Sequence, residues 1–267
     1  MNDGIQSAGR EPAEVPTGGP TVKGVAWVGR RLRDVEYTVV DGEAVVEGCI
    51  VLGPEHRVRA LTRQAEETRL GKDSFGLVIV GPEYRWPNNT VPFDISPDLP
   101  DQKRVKDAIA HWRDKVSFLT FVERDRTNAH LYPNWITFRR GSGCRSPVGC
   151  QKNQQFVTLA NDCGFGNVVH EIGHAVGLFH EQCRKDRDQH VTIIWENIDP
   201  DAAFNFNQEL DDGEDKGAYD YGSIMHYSRD AFSVNTKDTI VPKNGASIGQ
   251  RLSLSAGDIA AVRAIYS

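Results

Sequence analysis

Apolar and polar residues alternate with a period of two along the first part of the chain. The runs VEYTVV at 35–40 and AVVEGCIVLG at 44–53 flank Asp41-Gly42, a dipeptide typical of tight hairpin turns. This alternation predicts antiparallel strands. The next stretch, 56–73, is charged and helix-prone but has no strong apolar stripe. We interpret it as a solvated segment or linker between a small N-terminal module and a larger second one.

The larger module mixes both hydrophobic periods. Apolar residues recur at helical spacing over about 102–116, and shorter helical patterns cover about 166–177 and 255–266. Alternating apolar residues predict strands at 118–124, 134–140 and 154–160, after two short strands within 75–96. Helices and strands that follow one another in this way predict an α+β fold.

One segment concentrates side chains that bind metals. HEIGHAVGLFHE, which begins at His170, contains the spacing HExxHxxGxxH. On a helix, His170 and His174 project from the same face, where two neutral imidazoles can bind one Zn²⁺ ion. Gly177 allows the chain to turn and bring His180 to the metal as a third ligand. Glu171 stands beside these ligands, placed to take a proton from water activated by zinc. Three protein ligands leave a coordination position open, which indicates a catalytic site.

Composition and charge favour a soluble globular protein and argue against a nucleic-acid-binding or membrane-spanning one. Hydrophobic residues make up 39% of the 267 residues and charged residues 25%, which is typical of a soluble globular protein. The net charge of −6 argues against a nucleic-acid partner. No apolar run approaches the ~20 residues of a membrane span. The first twenty residues contain no apolar stretch of the kind that a signal peptide requires.

A second motif lies downstream of the histidines. Apart from Met1, the chain has one methionine, Met225, within the sequence SIMHY. A methionine turn after HExxHxxGxxH is the signature of metzincin peptidases. With its further motifs, the chain resembles the astacin family of zinc endopeptidases over about residues 77–267. Those motifs are IVGPEYRW at 79–86, SGC at 142–144, Glu181, RKDRD at 184–188 and LSxxDIAAV within 252–262.

The resemblance implies a fold and a set of roles. The fold would be α+β, a metzincin catalytic domain with a mixed sheet and an active-site helix, whose upper half ends near 177 and whose lower half covers 178–267. Glu171 would be the general base and acid, while Tyr227 would bind zinc at rest and later stabilise the oxyanion. Met225 would lie beneath the metal. The implied histidine ligands are His170, His174 and His180.

Features of the substrate cleft are also implied by the resemblance. The strand Trp135–Arg139 would form the upper rim and pair with an extended substrate. Arg251 would be a partner for an acidic residue just after the scissile bond. A new N-terminus near Leu77 would pair with Glu181 after activation.

Five cysteines leave at least one thiol outside any intramolecular disulfide. The resemblance implies a bond between Cys144 and Cys163. Cys150 and Cys183 are additional, and we favour a second bond between them; the alternative is two buried thiols.

The fifth cysteine, Cys49, lies in the sequence VEGCI. Astacin propeptides carry an FxGD motif whose aspartate binds and blocks the zinc, and cysteine stands here in the place of that aspartate. A thiolate is a better zinc ligand than a carboxylate. We therefore interpret residues 1–76 as a propeptide that inhibits its own enzyme, with Cys49 as a cysteine switch. The alternative is an ordinary buried strand cysteine.

The prediction is a secreted zinc-dependent endopeptidase in latent proenzyme form, a monomer that acts on proteins or peptides. One alternative is a binding module that keeps the fold without turnover. Another is a zinc amide hydrolase with a non-peptide substrate. The remaining histidines are interpreted as surface or structural residues: His56, His111, His130, His190 and His226.

Overall fold

The computed structural model of the protein describes residues 20–28, 31–68, 81–208 and 214–266. The first part is a four-stranded antiparallel sheet in chain order, followed by one helix. Its elements are β1 (Val22–Val28), β2 (Arg31–Val40), β3 (Glu43–Val46), β4 (Ile50–Pro54) and α1 (Glu55–Thr68). Asp41 and Gly42 join β2 to β3 with φ values of 50° and 78°, so the predicted hairpin is confirmed.

Helix α1 is part of this N-terminal unit and not a solvated linker. Val58 is buried against the sheet, in a cluster with Ala26 and Tyr37. The hydroxyl of Thr62 accepts a hydrogen bond of 2.7 Å from the backbone N–H of Val25. The linker interpretation was therefore wrong for 56–68, because Val58 and Thr62 dock an otherwise charged helix. Positions 69–73 lie outside the described residues.

A turn interrupts the alternation predicted over 44–53. Glu47 and Gly48 have φ values of 46° and 71°, and the ladder between β3 and β4 resumes with Val46 opposite Ile50. Glycine tolerates this left-handed backbone at little cost. As a result, Cys49 leaves the sheet and lies at the tip of a turn.

The next part contains a five-stranded mixed sheet, flanked by two helices. The strand order is β6-β5-β7-β9-β8, with β8 antiparallel to β9 and the other pairs parallel. The elements are β5 (Thr90–Ile95), α2 (Lys103–Lys115), β6 (Thr120–Glu123), β7 (Trp135–Arg140), β8 (Cys144–Arg145), β9 (Gln154–Leu159) and α3 (Phe165–Ala175). The predicted α+β class with a mixed sheet is confirmed. Of the two strands predicted within 75–96, one is β5; positions 75–80 lie outside the described residues.

The sheet order corrects the prediction for the cleft rim. Strand β7 is paired on both sides, with β5 and with β9, so it has no open edge for a substrate. The expectation that Trp135–Arg139 pairs with substrate was therefore wrong. The open edge beside the cleft belongs to β8 and to Ser146, which follows it.

Two buried tryptophans hold the helix that carries the histidines. The indole N–H of Trp112, on α2, donates to the carbonyl of Val169 over 3.1 Å. The indole N–H of Trp86 donates to the carbonyl of Ala175 over 2.8 Å. Both side chains are at most 1% exposed. Helix α3 is thereby fixed at its middle and at its end.

The last part has few regular elements: α4 (Arg187–His190), β10 (Val191–Ile193), β11 (Ile240–Pro242) and α5 (Ala256–Tyr266). Buried arginines organise its loops. Arg187 donates to the carbonyls of Gln182 and Phe206, and Arg184 donates to that of Gly217. Among the described residues, no helix is long and apolar enough to cross a membrane.

Candidate metal centre and active site

Helix α3 and the turn after it bring three histidines together. His170 and His174 lie one turn apart on α3, which ends at Ala175. Gly177 has a φ of 112°, and the N–H of Leu178 bonds back to the carbonyl of Gly173 over 2.9 Å. The chain then reverses and brings His180 to the same point, as the spacing predicted.

Each of these imidazoles is oriented by a hydrogen bond from its Nδ1. The acceptors are the carbonyl of Ile224 for His170 at 2.8 Å, the carbonyl of Leu178 for His174 at 2.7 Å, and the carboxylate of Glu47 for His180 at 2.9 Å. A proton on Nδ1 leaves the Nε2 lone pair available to a metal. Burial lowers the pKa of His170 and of His174 well below the usual value, which keeps both in the neutral form that binds metals.

The three Nε2 atoms converge on the sulfur of Cys49. Its Sγ lies 3.7 Å from the Nε2 of His170, 3.2 Å from that of His174 and 3.4 Å from that of His180. All four side chains are buried. Within the described parts of the chain, this is the one group of His, Cys, Asp and Glu side chains dense enough to hold a metal. Three imidazole nitrogens and one thiol are a donor set that suits tetrahedral Zn²⁺.

The segment 47–51 reaches the cluster by binding both walls of the cleft. On one wall, Ser146 donates its N–H to the carbonyl of Cys49 over 2.9 Å and accepts from the N–H of Val51 over 3.2 Å. These bonds form a parallel bridge between Ile50 and Ser146. On the other wall, the amide oxygen of Asn205 accepts the N–H of Gly48 over 3.1 Å. The segment therefore fills the cleft.

The two proposed catalytic side chains flank this cluster. Glu171 is 1% exposed and directly follows His170 on α3. The ring of Tyr227 lies 4.6 Å from that of His180, centre to centre, and its hydroxyl donates to the carbonyl of Glu47 over 2.7 Å. The phenol hydroxyl is thus bound to the segment that fills the cleft. Its role as a zinc ligand stays a prediction.

The methionine turn lies against the back of α3. A Cβ atom at Gly173 would meet the sulfur of Met225 at 2.6 Å, so glycine allows the turn to approach the helix this closely. Buried Asp258, on α5, accepts from the hydroxyl of Ser223 at 2.6 Å and from the N–H of Ile224 at 3.0 Å. Since the carbonyl of Ile224 orients His170, Asp258 supports a histidine of the cluster through the turn.

Comparison with known proteins agrees with this geometry. A family model described as Astacin, a peptidase family, matches residues 78–267, which is more than half of the chain. The chain belongs to the astacin family. Membership makes it a zinc metalloendopeptidase by class, with one zinc ion as cofactor, and the four-residue cluster fits that ion.

Individual relatives match more than two thirds of the chain. Bone morphogenetic protein 1 of Xenopus laevis is 41% identical over 197 residues, which are 69% of this chain and 27% of that protein. Zinc metalloproteinase dpy-31 of Caenorhabditis elegans is 38% identical over 255 residues, 91% of this chain and 42% of that protein. The chain therefore spans less than half the length of each of these relatives.

Solved structures agree on the fold. High choriolytic enzyme 1, a hatching enzyme zinc-protease from Oryzias latipes, superposes with a TM-score of 0.60 at 33% identity, over 68% of this chain and 92% of that one. Myroilysin superposes with a TM-score of 0.51 at 23% identity, over 72% of this chain and 98% of its own, which shows a shared fold alone.

The structure gives hydrogen-bond partners for Arg251 and Glu181, two residues to which the astacin resemblance assigns roles. The guanidinium of Arg251 donates to the carbonyls of Ile224 and His226, each at 2.9 Å, so it supports the methionine turn. Glu181 lines a cavity of about 50 Å³ and accepts the N–H of Asp220 over 2.7 Å. Burial raises the pKa of Glu181 to about 8, although Arg184 at 3.5 Å opposes this rise.

The cysteines are arranged partly as expected. Cys144 and Cys163 form a disulfide, so the pairing implied by the resemblance is confirmed. The favoured Cys150–Cys183 bond was wrong, because the two thiols pack in different places. Cys150 lies in the core beneath the mixed sheet, where its N–H bonds to the carbonyl of Tyr84, whereas the sulfur of Cys183 lies against the carbonyl of Asn205 in the last part of the chain.

The other histidines are outside the metal cluster. His226 is buried, with Tyr219 bonded to its Nε2 at 2.7 Å, and burial lowers its pKa to about 4. His111 accepts the N–H of Leu254, and His190 stacks on Tyr219. These contacts agree with structural roles.

Sequence reasoning missed three residues that shape the site: Glu47, Asn205 and Asp258. Glu47 precedes the Gly-Cys pair directly, and this proximity was the one available signal that it would reach His180. Asp258 stands in the LSxxDIAAV motif, which we used only as a mark of the family resemblance. Asn205 has no signal in the sequence, because it meets Gly48 across 157 positions.

We predict that Asp258→Asn weakens zinc retention as well as stability. The side-chain amide of asparagine would place an N–H against one of the groups that now donate a hydrogen bond to Asp258. This should lower the free energy of unfolding by about 1–3 kcal/mol. The measurement is urea unfolding together with zinc loss to a chelator. Asp230→Asn, at an exposed residue of the same part of the chain, is the control and should change neither. Equal behaviour of both variants would contradict the supporting role of Asp258.

Proposed function

We propose that the chain is the latent proenzyme of a secreted zinc-dependent endopeptidase, with residues 1–76 as propeptide and 77–267 as catalytic domain. The observation that carries this proposal is the position of the Cys49 sulfur, 3.2–3.7 Å from three converging imidazole nitrogens. A sulfur in that place matches the fourth ligand of a tetrahedral zinc site. It would take the coordination position that the reaction needs.

Latency would have a second cause in the chain around Cys49. The main chain of 49–51 pairs with Ser146 at the open edge of the cleft, where an extended substrate would pair. The carbonyl of Glu47 also holds the hydroxyl of Tyr227. Removal of the segment 47–51 would free the metal position, the rim and the phenol together.

The residues present suit peptide hydrolysis. When bound by His170, His174 and His180, zinc supplies Lewis-acid chemistry to the scissile carbonyl and to water. Glu171 would take the proton from the attacking water and pass it to the leaving amine. Tyr227 would turn its hydroxyl, no longer bound to Glu47, toward the oxyanion and donate a hydrogen bond.

The same features weigh against the two alternative functions. A binding module without turnover has no need for a buried general base beside three oriented imidazoles. An amide hydrolase for small substrates has no need for a cleft edge that pairs with main chain. Chelator-sensitive cleavage of a peptide library would separate the endopeptidase from both alternatives.

Activation would require a cut between α1 and the catalytic domain, within residues 69–80. The predicted mature start near Leu77 lies outside the described residues. The cavity at Glu181 would receive the new amino group, whose positive charge would offset the cost of burying this carboxylate. The Cys144–Cys163 disulfide supports secretion, because such bonds persist in oxidising compartments. The monomeric state stays a prediction.

We predict that Glu171→Ala retains fold and zinc but loses proteolysis. Glu171 is placed as a base and not among the ligands, so removing it should cost ~10²–10⁴-fold in kcat. The measurement is peptide cleavage by the variant after removal of its propeptide, with bound zinc determined in the same sample. Activity within about tenfold of the wild type would exclude Glu171 as the general base, because ~10²-fold is the least that such a base supplies.

We predict that Cys49→Ala makes the uncleaved chain active, while Cys49→Asp stays partly latent because a carboxylate can also bind zinc. Loss of the fourth ligand should raise cleavage by the intact chain at least about tenfold, the equivalent of about 1.4 kcal/mol. Cys150→Ala is the control, since that thiol is buried away from the cluster, and it should remain latent. A Cys49→Ala chain as silent as the wild type would show that the thiol does not maintain latency.

A further inference from the structure

A cluster of charges links the N-terminal unit to the mixed sheet, away from the metal. Asp41 and Glu43, at the tip of the β2–β3 hairpin, meet Arg139 and Arg145. The two arginines lie on β7 and β8, and each faces Thr158 of β9 in the strand register. The two arginines therefore lie on one line across the sheet, with strand β9 between them. Two like charges so placed form a site for carboxylates.

The sheet itself holds Arg139 in position. Its guanidinium stacks on the ring of Phe156, 4.0 Å from the centroid, and its Nε donates to the hydroxyl of Thr158 over 3.1 Å. Only the remaining Nη2 reaches the hairpin, where it donates to Glu43 over 2.8 Å. Arg139 would thus keep its orientation if the hairpin departed.

Arg145 is held in the same way. One Nη donates to the carbonyl of Ser142, while Nε bonds to Glu43 at 3.0 Å and the other Nη bonds to Asp41 at 3.1 Å. The N–H of Ser142 also donates to the Asp41 carboxylate over 2.9 Å, and this bond is the main cause that lowers the pKa of Asp41. The side chain of Arg145 is 1% exposed beneath the hairpin. Removal of the hairpin would uncover a guanidinium that is still fixed by the Ser142 carbonyl but has lost its carboxylate acceptors, together with the N–H of Ser142.

The position of this cluster connects it to the substrate path. Arg145 directly precedes Ser146, which pairs with Ile50, the residue next to Cys49. At about 3.3 Å per residue, an extended peptide along this edge would bring a side chain to Arg145 within about three residues of the bond at the metal.

We infer that Arg139 and Arg145 form a subsite for an acidic side chain of the substrate, which the propeptide fills with Asp41 and Glu43 in the proenzyme. The inference rests on the proposed function, since it needs a peptide substrate in the cleft. The hairpin would then imitate an acidic substrate side chain while segment 47–51 blocks the metal.

The test uses the full chain after removal of its propeptide. Matched fluorogenic peptides carry Glu or Gln at each position within four residues of the cleaved bond, and the readout is the Glu-to-Gln ratio of kcat/KM. At one of the nearest three positions, the wild type should prefer Glu by about tenfold, the range expected for one charged hydrogen-bonded pair. Arg139→Gln and Arg145→Gln should each bring that ratio toward one.

Two further variants make the outcome specific. Arg140→Gln is the matched control, because this exposed neighbour points to the other face of β7, and its ratio should equal that of the wild type. Arg145→Glu should reverse the preference in favour of Lys at the same position. If variants of buried Arg145 do not fold, Arg139, whose side chain is 30% exposed, carries the test alone.

The two possible failures are distinct. An activated enzyme that cleaves the peptides, but whose preference for Glu is absent or is unchanged in Arg139→Gln, would overturn the subsite and leave the proposed function intact. An activated chain that cleaves no peptide would overturn the proposed function, and the subsite with it.

Discussion

The arrangement of the molecule depends on four buried atoms that converge on one point, three imidazole nitrogens and the sulfur of Cys49. Polar atoms without water around them need a defined partner, and these four form a donor set that suits one Zn²⁺ ion. Each imidazole is turned to this point by an acceptor on its Nδ1, and these acceptors come from three separate parts of the chain. The one for His180 is Glu47, so the N-terminal unit takes part in the organisation of the centre.

The surrounding structure fixes the positions of these parts relative to one another. Two tryptophans fix α3 through backbone carbonyls, and Asp258 ties the methionine turn to α5. The turn at Cys49 attaches the N-terminal unit to the cleft, and the carboxylates of the β2–β3 hairpin attach it to Arg139 and Arg145. A proteolytic cut would have to release both attachments, and both then leave a site suited to a peptide.

Patterns confined to short stretches of sequence predicted most of this well. The hairpin at Asp41-Gly42, helix α3 and the three histidines follow from spacing alone, because backbone geometry fixes where neighbouring side chains point. The errors concern long-range packing. Helix α1 docks through Val58 and Thr62, strand β7 lies inside the sheet, and Cys150 and Cys183 lie apart. Contacts such as Gly48 with Asn205 join distant positions, and no local period encodes them.

X-ray absorption at the zinc edge of the intact, uncleaved protein tests the central claim most directly, because it reads the atoms around the metal without any assay of activity. The account predicts one sulfur at ~2.3 Å and three nitrogens at ~2.0–2.1 Å. The same spectrum after removal of the propeptide should lose the sulfur and keep the nitrogens. A shell of nitrogen and oxygen alone in the intact protein would contradict the account, since Cys49 would then lie beside the metal without binding it.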